Sequence, residues 1–423
     1  MNIEISEVSA LEILDSRGRP TLEVTVMLDA GVRAVAGVPS GASTGTREAV
    51  ERRDGDAERY AGAGVTAAVA AVNGEIADAL RGSRWTDLAA VDDALIALDG
   101  TDTKQRLGAN AIVGVSMAVA RAMAESVGQP LYRWLGDADV ERRLPVPHFN
   151  VVNGGAHAQN PLAFQEFMLA PVGAPDVREA LRVGAEIYGR LRALLRDRGL
   201  STGLGDEGGF APDLATAPEV LDLLVAAIDA AGYDAGPSGV AIALDPAASE
   251  FCTDGVYHVS DDEDLSARDM VDLYAELVDR YPIWSIEDGL AEDDWTGWRD
   301  LTDRLGRRVQ LVGDDIFVTN PAIITRAIDE GVGTAALIKL NQIGTVTETL
   351  EAMRVCRRAG YAQMVSHRSG ETPDTFIADL AVATGCGQLK SGAPARGERV
   401  AKYNRLVAID HDTDLPYGLT PTT

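Results

Sequence analysis

Short apolar runs recur along the second half of the chain, and each run ends at a charged or polar residue. Unbroken apolar runs of this length are typical of parallel strands buried on both faces of a sheet. The residues that follow the runs are spaced 23 to 42 apart, and most of these gaps fit one strand, one return helix and two loops. The runs are 240–244 before Asp245, 283–286 before Glu287, 309–312 before Asp314, 335–338 before Lys339, 362–365 before Ser366, His367 and Arg368, and 386–389 before Lys390.

Helix-length stretches, such as 266–279 and 345–358, lie between these runs. The alternation of strand and helix predicts an α/β fold with a TIM-like β/α barrel, in which the C-terminal ends of the strands surround one mouth. We therefore expect the residues after the runs to converge there. Three carboxylates, two lysines, a histidine and an arginine in one cavity would form an active site.

The first part of the chain follows a different pattern. Segments 4–9, 21–29 and 31–38 read as a small antiparallel sheet, and 64–80, 87–98 and 109–127 have helical periodicity. The pattern predicts a smaller N-terminal α+β domain over 1–138 and a barrel domain over 139–423, divided within the charged loop 136–144. The glycine-rich segment 37–48 predicts a mobile lid loop, because glycines at both ends permit hinge motion.

Composition narrows the classes of function. The chain has 423 residues, 46% of them hydrophobic, which suits one barrel plus a smaller domain. Its formal net charge of −27 argues against nucleic acid or an anionic membrane as a partner. The sequence shows no membrane-spanning apolar stretch or signal-peptide start, and Cys252, Cys356 and Cys386 form no CxxC pair. We therefore expect a soluble cytoplasmic protein without a disulfide framework.

A set of short motifs carries a specific family resemblance. Any one of them could arise by chance, but together they appear in order and with family-like spacing. On these motifs the chain resembles the enolase (phosphopyruvate hydratase) family over nearly its whole length, which implies an enolase-type barrel with a smaller N-terminal domain. The motifs are SGASTG at 40–45, NGGAH at 153–157, QEFM at 165–168, GDEGGFAP at 205–212, ASEF at 248–251, SIED at 285–288, VGDD at 312–315, KLNQIG at 339–344, SHRSGET at 366–372 and QLKSG at 388–392.

The resemblance implies a magnesium site. Asp245, Glu287 and Asp314 match the family's ligands for a tightly held Mg²⁺, and hard oxygen ligands suit that ion. Ser43 in the lid loop matches a ligand of a second Mg²⁺ that arrives with the substrate. A single acid at a strand end is more often a cap of the next helix, but three in matching motifs favour the metal.

The resemblance also assigns the proton transfers. Lys339 matches the base that removes the C2 proton of 2-phosphoglycerate, and a lysine or histidine base beside Mg²⁺ is the known pattern of the enolase superfamily. We expect burial and neighbouring cations to keep Lys339 neutral. Glu207 matches the acid that helps the C3 hydroxyl leave, so we expect its pKa to be raised. Glu166 and Gln165 match residues that support this acid and contact the substrate, and His157 matches a loop histidine near the leaving group.

Four further residues match the substrate contacts of the family. Arg368 and Ser369 match the residues that bind the substrate phosphate, and Lys390 matches the residue that contacts the substrate carboxylate. His367 is expected to line the site without transferring protons. The eight ionisable groups among the implied ligands and catalytic residues sum to −2, and two Mg²⁺ ions bring the sum to +2. Binding of a small phosphorylated carboxylate therefore requires the metals as well.

Three interpretations remain open at this point. The first is glycolytic enolase, and the second is a divergent bacterial paralogue that dehydrates a 2-phosphoglycerate analogue, as carboxyphosphonoenolpyruvate synthase does. The third, a non-catalytic binding protein with the same fold, conflicts with the retention of all the catalytic residues, and a barrel enzyme of the mandelate-racemase type conflicts with the phosphate-binding motifs.

Family members are generally homodimers or larger homo-oligomers, so we expect at least a dimer. The departures that suggest a paralogue are Arg19, His148, Phe149, Pro161, Pro246 and Gly397.

Overall fold

The computed structural model describes residues 3–260 and 263–419. The N-terminal part contains an antiparallel sheet in the order β3-β2-β1-β4. The three longer strands confirm the predicted sheet, although the first is longer than its pattern indicated. The outermost ends of the two predicted domains, 1–2 and 420–423, lie outside the described residues. The strands are β1 (Ile3–Leu14), β2 (Pro20–Leu28), β3 (Arg33–Gly37) and β4 (Arg84–Trp85).

Helices cover one face of this sheet. The predicted segments 64–80, 87–98 and 109–127 are confirmed to within two residues at each end, except that a wide π-helical turn, Val72–Ile76, interrupts the first. The longest of these helices packs on β2 and β3 so closely that a Cβ on Gly114 would lie 2.6 Å from Cγ2 of Val24. The helices are α1 (Thr66–Ala71), α2 (Ala77–Leu80), α3 (Leu88–Asp99), α4 (Ala109–Ser126) and α5 (Leu131–Trp134).

The rest of the chain forms a closed barrel. Its strands follow the order β11-β12-β13-β14-β15-β5-β6-β7, and the six predicted strands correspond to β7 and β11–β15, with bounds within two residues. A small separate sheet is formed by β8, β9 and β10. The strands are β5 (Val146–Asn153), β6 (Glu166–Ala170), β7 (Ala241–Asp245), β8 (Cys252–Thr253), β9 (Val256–Ser260), β10 (Glu263–Leu265), β11 (Ile283–Glu287), β12 (Gln310–Gly313), β13 (Ala335–Ile338), β14 (Ala362–Ser366) and β15 (Gln388–Lys390).

Two barrel strands lie outside the repeating pattern, and one of them reverses direction. β6 pairs antiparallel with both β5 and β7, whereas the other neighbouring barrel strands pair in parallel. The first residue of β6, Glu166, therefore lies at the same rim as the last residues of its neighbours. It is in register with Asp245 of β7 and with Asn153 of β5.

Helices surround the barrel, and several begin at side-chain caps. The predicted helices 266–279 and 345–358 are confirmed with a shift of one residue, and Ser266 and Thr345 cap them. The helices are α6 (Val177–Asp197), α7 (Ala217–Ala230), α8 (Ala267–Arg280), α9 (Trp295–Leu305), α10 (Pro321–Glu330), α11 (Leu340–Ile343), α12 (Val346–Ala359), α13 (Phe376–Thr384) and α14 (Gly397–His411).

Buried polar contacts join the N-terminal part to the barrel. Arg121 of α4 donates to Asp374 at 2.7 Å, and Asp92 of α3 accepts from the backbone N–H of Thr347 in the first turn of α12 at 3.0 Å. We place the domain boundary in the segment between α5 and β5, near residues 138 and 139, as a proposal. Cys252, Cys356 and Cys386 are free thiols, and among the described residues we find no helix suited to crossing a membrane.

Candidate active site

Carboxylates from several strand ends meet at one rim of the barrel. Asp245 and Glu287 end β7 and β11, Asp314 directly follows β12, and Glu166 begins β6. Each of the four is less than a tenth exposed. Because buried like charges repel strongly, such a cluster requires cations close to it.

One of these cations is Lys390 at the end of β15. Its Nζ lies 2.9 Å from Oδ2 of Asp245, 2.8 Å from Oε1 of Glu287 and 3.2 Å from Oε2 of Glu166. Burial alone would lower the pKa of Lys390, but Asp245, Glu166 and Glu287 outweigh burial and raise that pKa well above its ordinary value. Lys390 therefore stays charged and compensates the acids around it.

Lys339, which follows β13, forms an ion pair with Asp314. Burial lowers its pKa, but the charges of Asp314 and Glu287 together outweigh burial and raise the pKa above the ordinary lysine value. The expectation of a neutral Lys339 is therefore wrong for this state of the site, because the sequence does not show that Asp314 contacts Nζ. Gln342 also donates to Asp314, from Nε2 to Oδ1 at 2.8 Å.

A second group of acids lies beside the lysines. Glu166, Glu207 and His157 bring one ligand atom each within 4.8 Å of one another. Burial, followed by the charge of Glu207, raises the pKa of Glu166 well above its ordinary value. Two buried carboxylates this close cannot both ionise easily, so the pair favours a single shared proton.

The expected rise in the pKa of Glu207 is not found. Burial would raise that pKa, but the interactions with His367 and His157 and the charge of Arg399 together outweigh burial and lower it. Nδ2 of Asn150 also donates to Oε2 of Glu207 at 3.0 Å. In this state the proton of the pair therefore resides on Glu166, because the donors surround Glu207.

His367 is fixed in one tautomer by its neighbours. Arg399 donates to Nδ1 of His367, so this nitrogen accepts and the ring proton lies on Nε2, which is 3.1 Å from Oε2 of Glu207. Burial lowers the pKa of His367 to about 3, so the ring is neutral at ordinary pH and turns a donor toward Glu207. This neutral state is consistent with a residue that lines the site without transferring protons.

Arg368 and Ser369 follow β14 on the side of the lid loop. Ser369 Oγ lies 3.0 Å from Nε2 of His157, and the Arg368 guanidinium contacts Glu48 and the backbone carbonyl of Ser43 in the lid loop. The lid loop thus rests on the barrel rim in this structure.

The structure brings most of the site residues expected from the sequence into one cavity. Glu287 and Asp314 join it through their ion pairs with Lys390 and Lys339. The expected residues that line the cavity are Ser43, His157, Gln165, Glu166, Glu207, Asp245, Lys339, His367, Arg368, Ser369 and Lys390.

Asp245, Glu287 and Asp314 offer carboxylate oxygens, the donor type that suits a hard divalent cation. Within the described part of the chain, Oε2 of Glu287 is buried and has no hydrogen-bond partner. Burial, followed by the charge of Asp245, raises the pKa of Glu287 well above its ordinary value. A buried acceptor without a donor beside a second carboxylate is what an oxygen-ligated metal would satisfy.

Asp288, the residue after Glu287, has a different role from the three candidate ligands. Its two carboxylate oxygens accept from the backbone N–H groups of Asp314 and Asp315, at 2.8 and 2.9 Å. These bonds hold the backbone that carries Asp314, so Asp288 orients a candidate ligand rather than offering free oxygens itself.

The sequence did not single out four residues that contact this site. Glu48 and Gln342 are the last residue of the lid segment and a member of the KLNQIG motif, and both lay within segments already marked. Arg399 ends the motif at 395–399 in which Gly397 departs from the family pattern, whereas Asn150 had no such marker of function. Contact between distant segments is what distinguishes these four from their neighbours, and a single sequence does not contain that information.

Comparison with known proteins decides the family. The model of "Enolase, N-terminal domain" matches residues 5–135, and that of "Enolase, C-terminal TIM barrel domain" matches residues 141–415. A curated enolase of Rubrobacter xylanophilus is 58% identical over 408 residues, which cover 96% of this chain and 94% of the relative.

The chain belongs to the enolase family. Its closed barrel and smaller N-terminal domain agree with the two matched descriptions, which confirms the predicted fold class. The chain is accordingly an enzyme, a hydro-lyase of the phosphopyruvate hydratase type. Family membership also implies that its activity depends on a metal cofactor.

Proposed function

We propose that the chain catalyses the reversible, Mg²⁺-dependent dehydration of 2-phospho-D-glycerate to phosphoenolpyruvate, as a step of glycolysis. The observation that carries this proposal is a single buried cavity that holds a lysine, a carboxyl pair and an arginine–serine pair. These are the groups needed to remove a proton, to protonate a leaving hydroxyl and to bind phosphate.

Lys339 is proposed as the base that takes the C2 proton. In the structure it is buried and held in its charged form by Asp314. To act as a base it must first lose its proton, and weakening the attraction of Asp314 lowers the pKa of Lys339 toward the neutral form. The nearby cations Arg368 and Lys390 already act in that direction.

Glu166 and Glu207 are proposed to hold the proton that is given to the C3 hydroxyl. Because the pair is buried and close, it retains one proton at a pH at which an exposed carboxyl group has lost its own. We assign the donation to Glu207, with Glu166 as the partner that shares the proton. Nδ1 of His157 lies 3.7 Å from Glu166 and 3.8 Å from Glu207, so His157 closes this side of the cavity.

Asp245, Glu287 and Asp314 are proposed to hold one Mg²⁺, and Ser43 is proposed to contribute to a second that arrives with the substrate. Bound Mg²⁺ supplies positive charge that stabilises the enolate formed when the C2 proton leaves. Arg368 and Ser369 would bind the phosphate, and Gln165 and Lys390 would contact the rest of the substrate.

Assembly and cellular location are also proposals. We propose a homodimer or larger homo-oligomer in the cytoplasm. Leu11 and Leu14 on β1 are more than half exposed, which leaves two large apolar side chains available for a contact between subunits. Arg19, the departure near this strand, is exposed and free to meet an acidic partner.

A steady-state assay tests the proposed substrate. The purified protein in Mg²⁺ buffer should convert 2-phosphoglycerate to phosphoenolpyruvate with a higher kcat/KM than it shows for phosphonate analogues. If the protein preferred a phosphonate analogue, the interpretation as a divergent paralogue would replace the interpretation as glycolytic enolase. Turnover of neither substrate would overturn the proposed reaction.

A further inference from the structure

Glu48, the last residue of the lid segment, meets the guanidinium of Arg368 with both carboxylate oxygens. Nη1 of Arg368 lies 3.0 Å from Oε2, and Nη2 lies 3.1 Å from Oε1. The side chains are 8% and 3% exposed, so the pair lies almost entirely out of water. This contact is bidentate, and arginine binds phosphate in the same bidentate geometry.

The remaining N–H groups of the same two nitrogens are also occupied. Nη1 donates to Oδ1 of Asn341 at 2.9 Å, and Nη2 donates to the backbone carbonyl of Ser43 at 3.1 Å. With the two bonds to Glu48, the four N–H groups on the terminal nitrogens are therefore all in use. A phosphate can accept hydrogen bonds from both terminal nitrogens only after one of these acceptors has moved away.

Glu48 also links the lid to the acid cluster. Its Oε1 accepts from Nε2 of Gln342 at 3.2 Å, and the same Nε2 donates to Oδ1 of Asp314 at 2.8 Å. The lid backbone approaches Arg368 closely, since a Cβ on Gly41 would lie 2.3 Å from Nη2 of Arg368. Glycine at this position is what allows the loop to rest on the guanidinium.

We propose that Glu48 is an internal competitor for the phosphate-binding arginine. It neutralises Arg368 while the phosphate is absent, and the incoming phosphate displaces it, which releases the lid from this contact. The carboxylate is the acceptor that must leave, because a phosphate and a carboxylate on one buried guanidinium repel each other, whereas a neutral carbonyl does not. The inference rests on the proposed function only in assigning phosphate to Arg368.

The competition can be measured with inorganic phosphate as the probe. In Glu48→Gln the amide nitrogen faces an N–H of Arg368, so one arm of the pair is lost while the side chain keeps its size. We expect phosphate to bind the Mg²⁺-loaded variant roughly tenfold more tightly than the wild type in calorimetric titration. Glu48→Asp keeps the charge but shortens the reach, so it should give a smaller gain.

Glu292→Gln is the matched control. Glu292 accepts from the backbone N–H of Thr46 at 3.2 Å, so this substitution also removes one negative charge at the lid but leaves the Arg368–Glu48 pair in place. Its phosphate affinity should change by less than about twofold, since the charge it removes is not one that phosphate must displace. Circular dichroism and thermal unfolding confirm that each variant is folded before the titrations.

The outcomes separate this inference from the proposed function. If Arg368→Gln abolishes phosphate binding but Glu48→Gln binds no more tightly than Glu292→Gln, the competition is wrong and the phosphate assignment stands. If Glu48→Gln binds phosphate more weakly than the wild type, Glu48 orients Arg368 for phosphate rather than competing with it, and the competition is also overturned. If Arg368→Gln binds phosphate as well as the wild type, the assignment of phosphate to Arg368 is wrong. If Glu48→Gln does not fold, the Glu48→Asp titration decides, and no gain over Glu292→Gln overturns the competition.

Discussion

At the scale of single residues, charge compensation determines the state of this site. Lys339 is paired with Asp314, Lys390 contacts the other three rim carboxylates, and Arg368 is paired with Glu48. Each of these contacts joins residues that are far apart in the chain. The sequence therefore predicted which residues meet but not which charge each of them carries.

Glu207 illustrates that difference. From the sequence, an acid needs a raised pKa, and the structure raises the pKa of Glu166 instead and lowers that of Glu207. The reason is the distribution of donors, since Asn150 and His367 approach Glu207. No spacing in the sequence indicates where those donors lie.

Metal removal tests the three candidate ligands. Exhaustive chelation should abolish turnover and added Mg²⁺ should restore it, because the bare cluster of Asp245, Glu287 and Asp314 cannot stabilise an enolate. Glu287→Gln should require a Mg²⁺ concentration roughly 10- to 100-fold higher for half-maximal activity, since one charged ligand is lost. Full activity in excess chelator would refute the assignment of these ligands.

At the scale of elements, the six strands of the repeating pattern were predicted correctly and β5 and β6 were not. Residues 154–165 separate these two strands, which is at the lower limit for a parallel crossover, and the connection contains the short 3-10 turn Gly155–His157 in place of a return helix. Such a connection favours the antiparallel direction of β6. This direction matters for the site, because it brings Glu166 to the same rim as Asp245, its register partner on β7.

The contact of α3 with α12 gives a prediction about stability. Burial raises the pKa of Asp92 to about 6, from an ordinary value of 3.8. Between these values the folded state binds more protons than the unfolded state, so stability falls as the pH rises and the full cost is present above about pH 6. Asp92→Asn removes this cost.

We therefore expect the free energy of unfolding of Asp92→Asn, relative to the wild type, to increase by about 1 to 3 kcal/mol between pH 4 and pH 8. Urea titrations at the two pH values measure the change. Asp93→Asn, at the exposed next position of α3, is the control and should show no such trend. A relative stability of Asp92→Asn that stays constant across this range would contradict the role of burial.

At the scale of the whole molecule, the net charge of −27 and the anionic substrate have to be reconciled. The lysines and Arg368 are positioned at the mouth, but acids already neutralise them. Attraction of a phosphorylated carboxylate therefore depends on the metals and on the exchange of internal partners such as Glu48.

The state of assembly gives a prediction at this scale. We expect sedimentation at micromolar protein to show a dimer or a larger species, with modest sensitivity to salt if Arg19 meets an acidic partner. The exposed Leu11 and Leu14 supply apolar surface for the contact. A 44.7 kDa monomer alone, in both low and moderate salt, would overturn this proposal.

The central claim is that one buried site divides two proton transfers between Lys339 and the Glu166–Glu207 pair. Exchange of the C2 proton of 2-phosphoglycerate with deuterated solvent, measured beside elimination of water, tests that division most directly. Lys339→Ala should lose both reactions, whereas Glu207→Gln should keep exchange while elimination falls by about 10²- to 10⁴-fold. If Glu207→Gln lost exchange and elimination in equal proportion, as Lys339→Ala is expected to, the account would be contradicted.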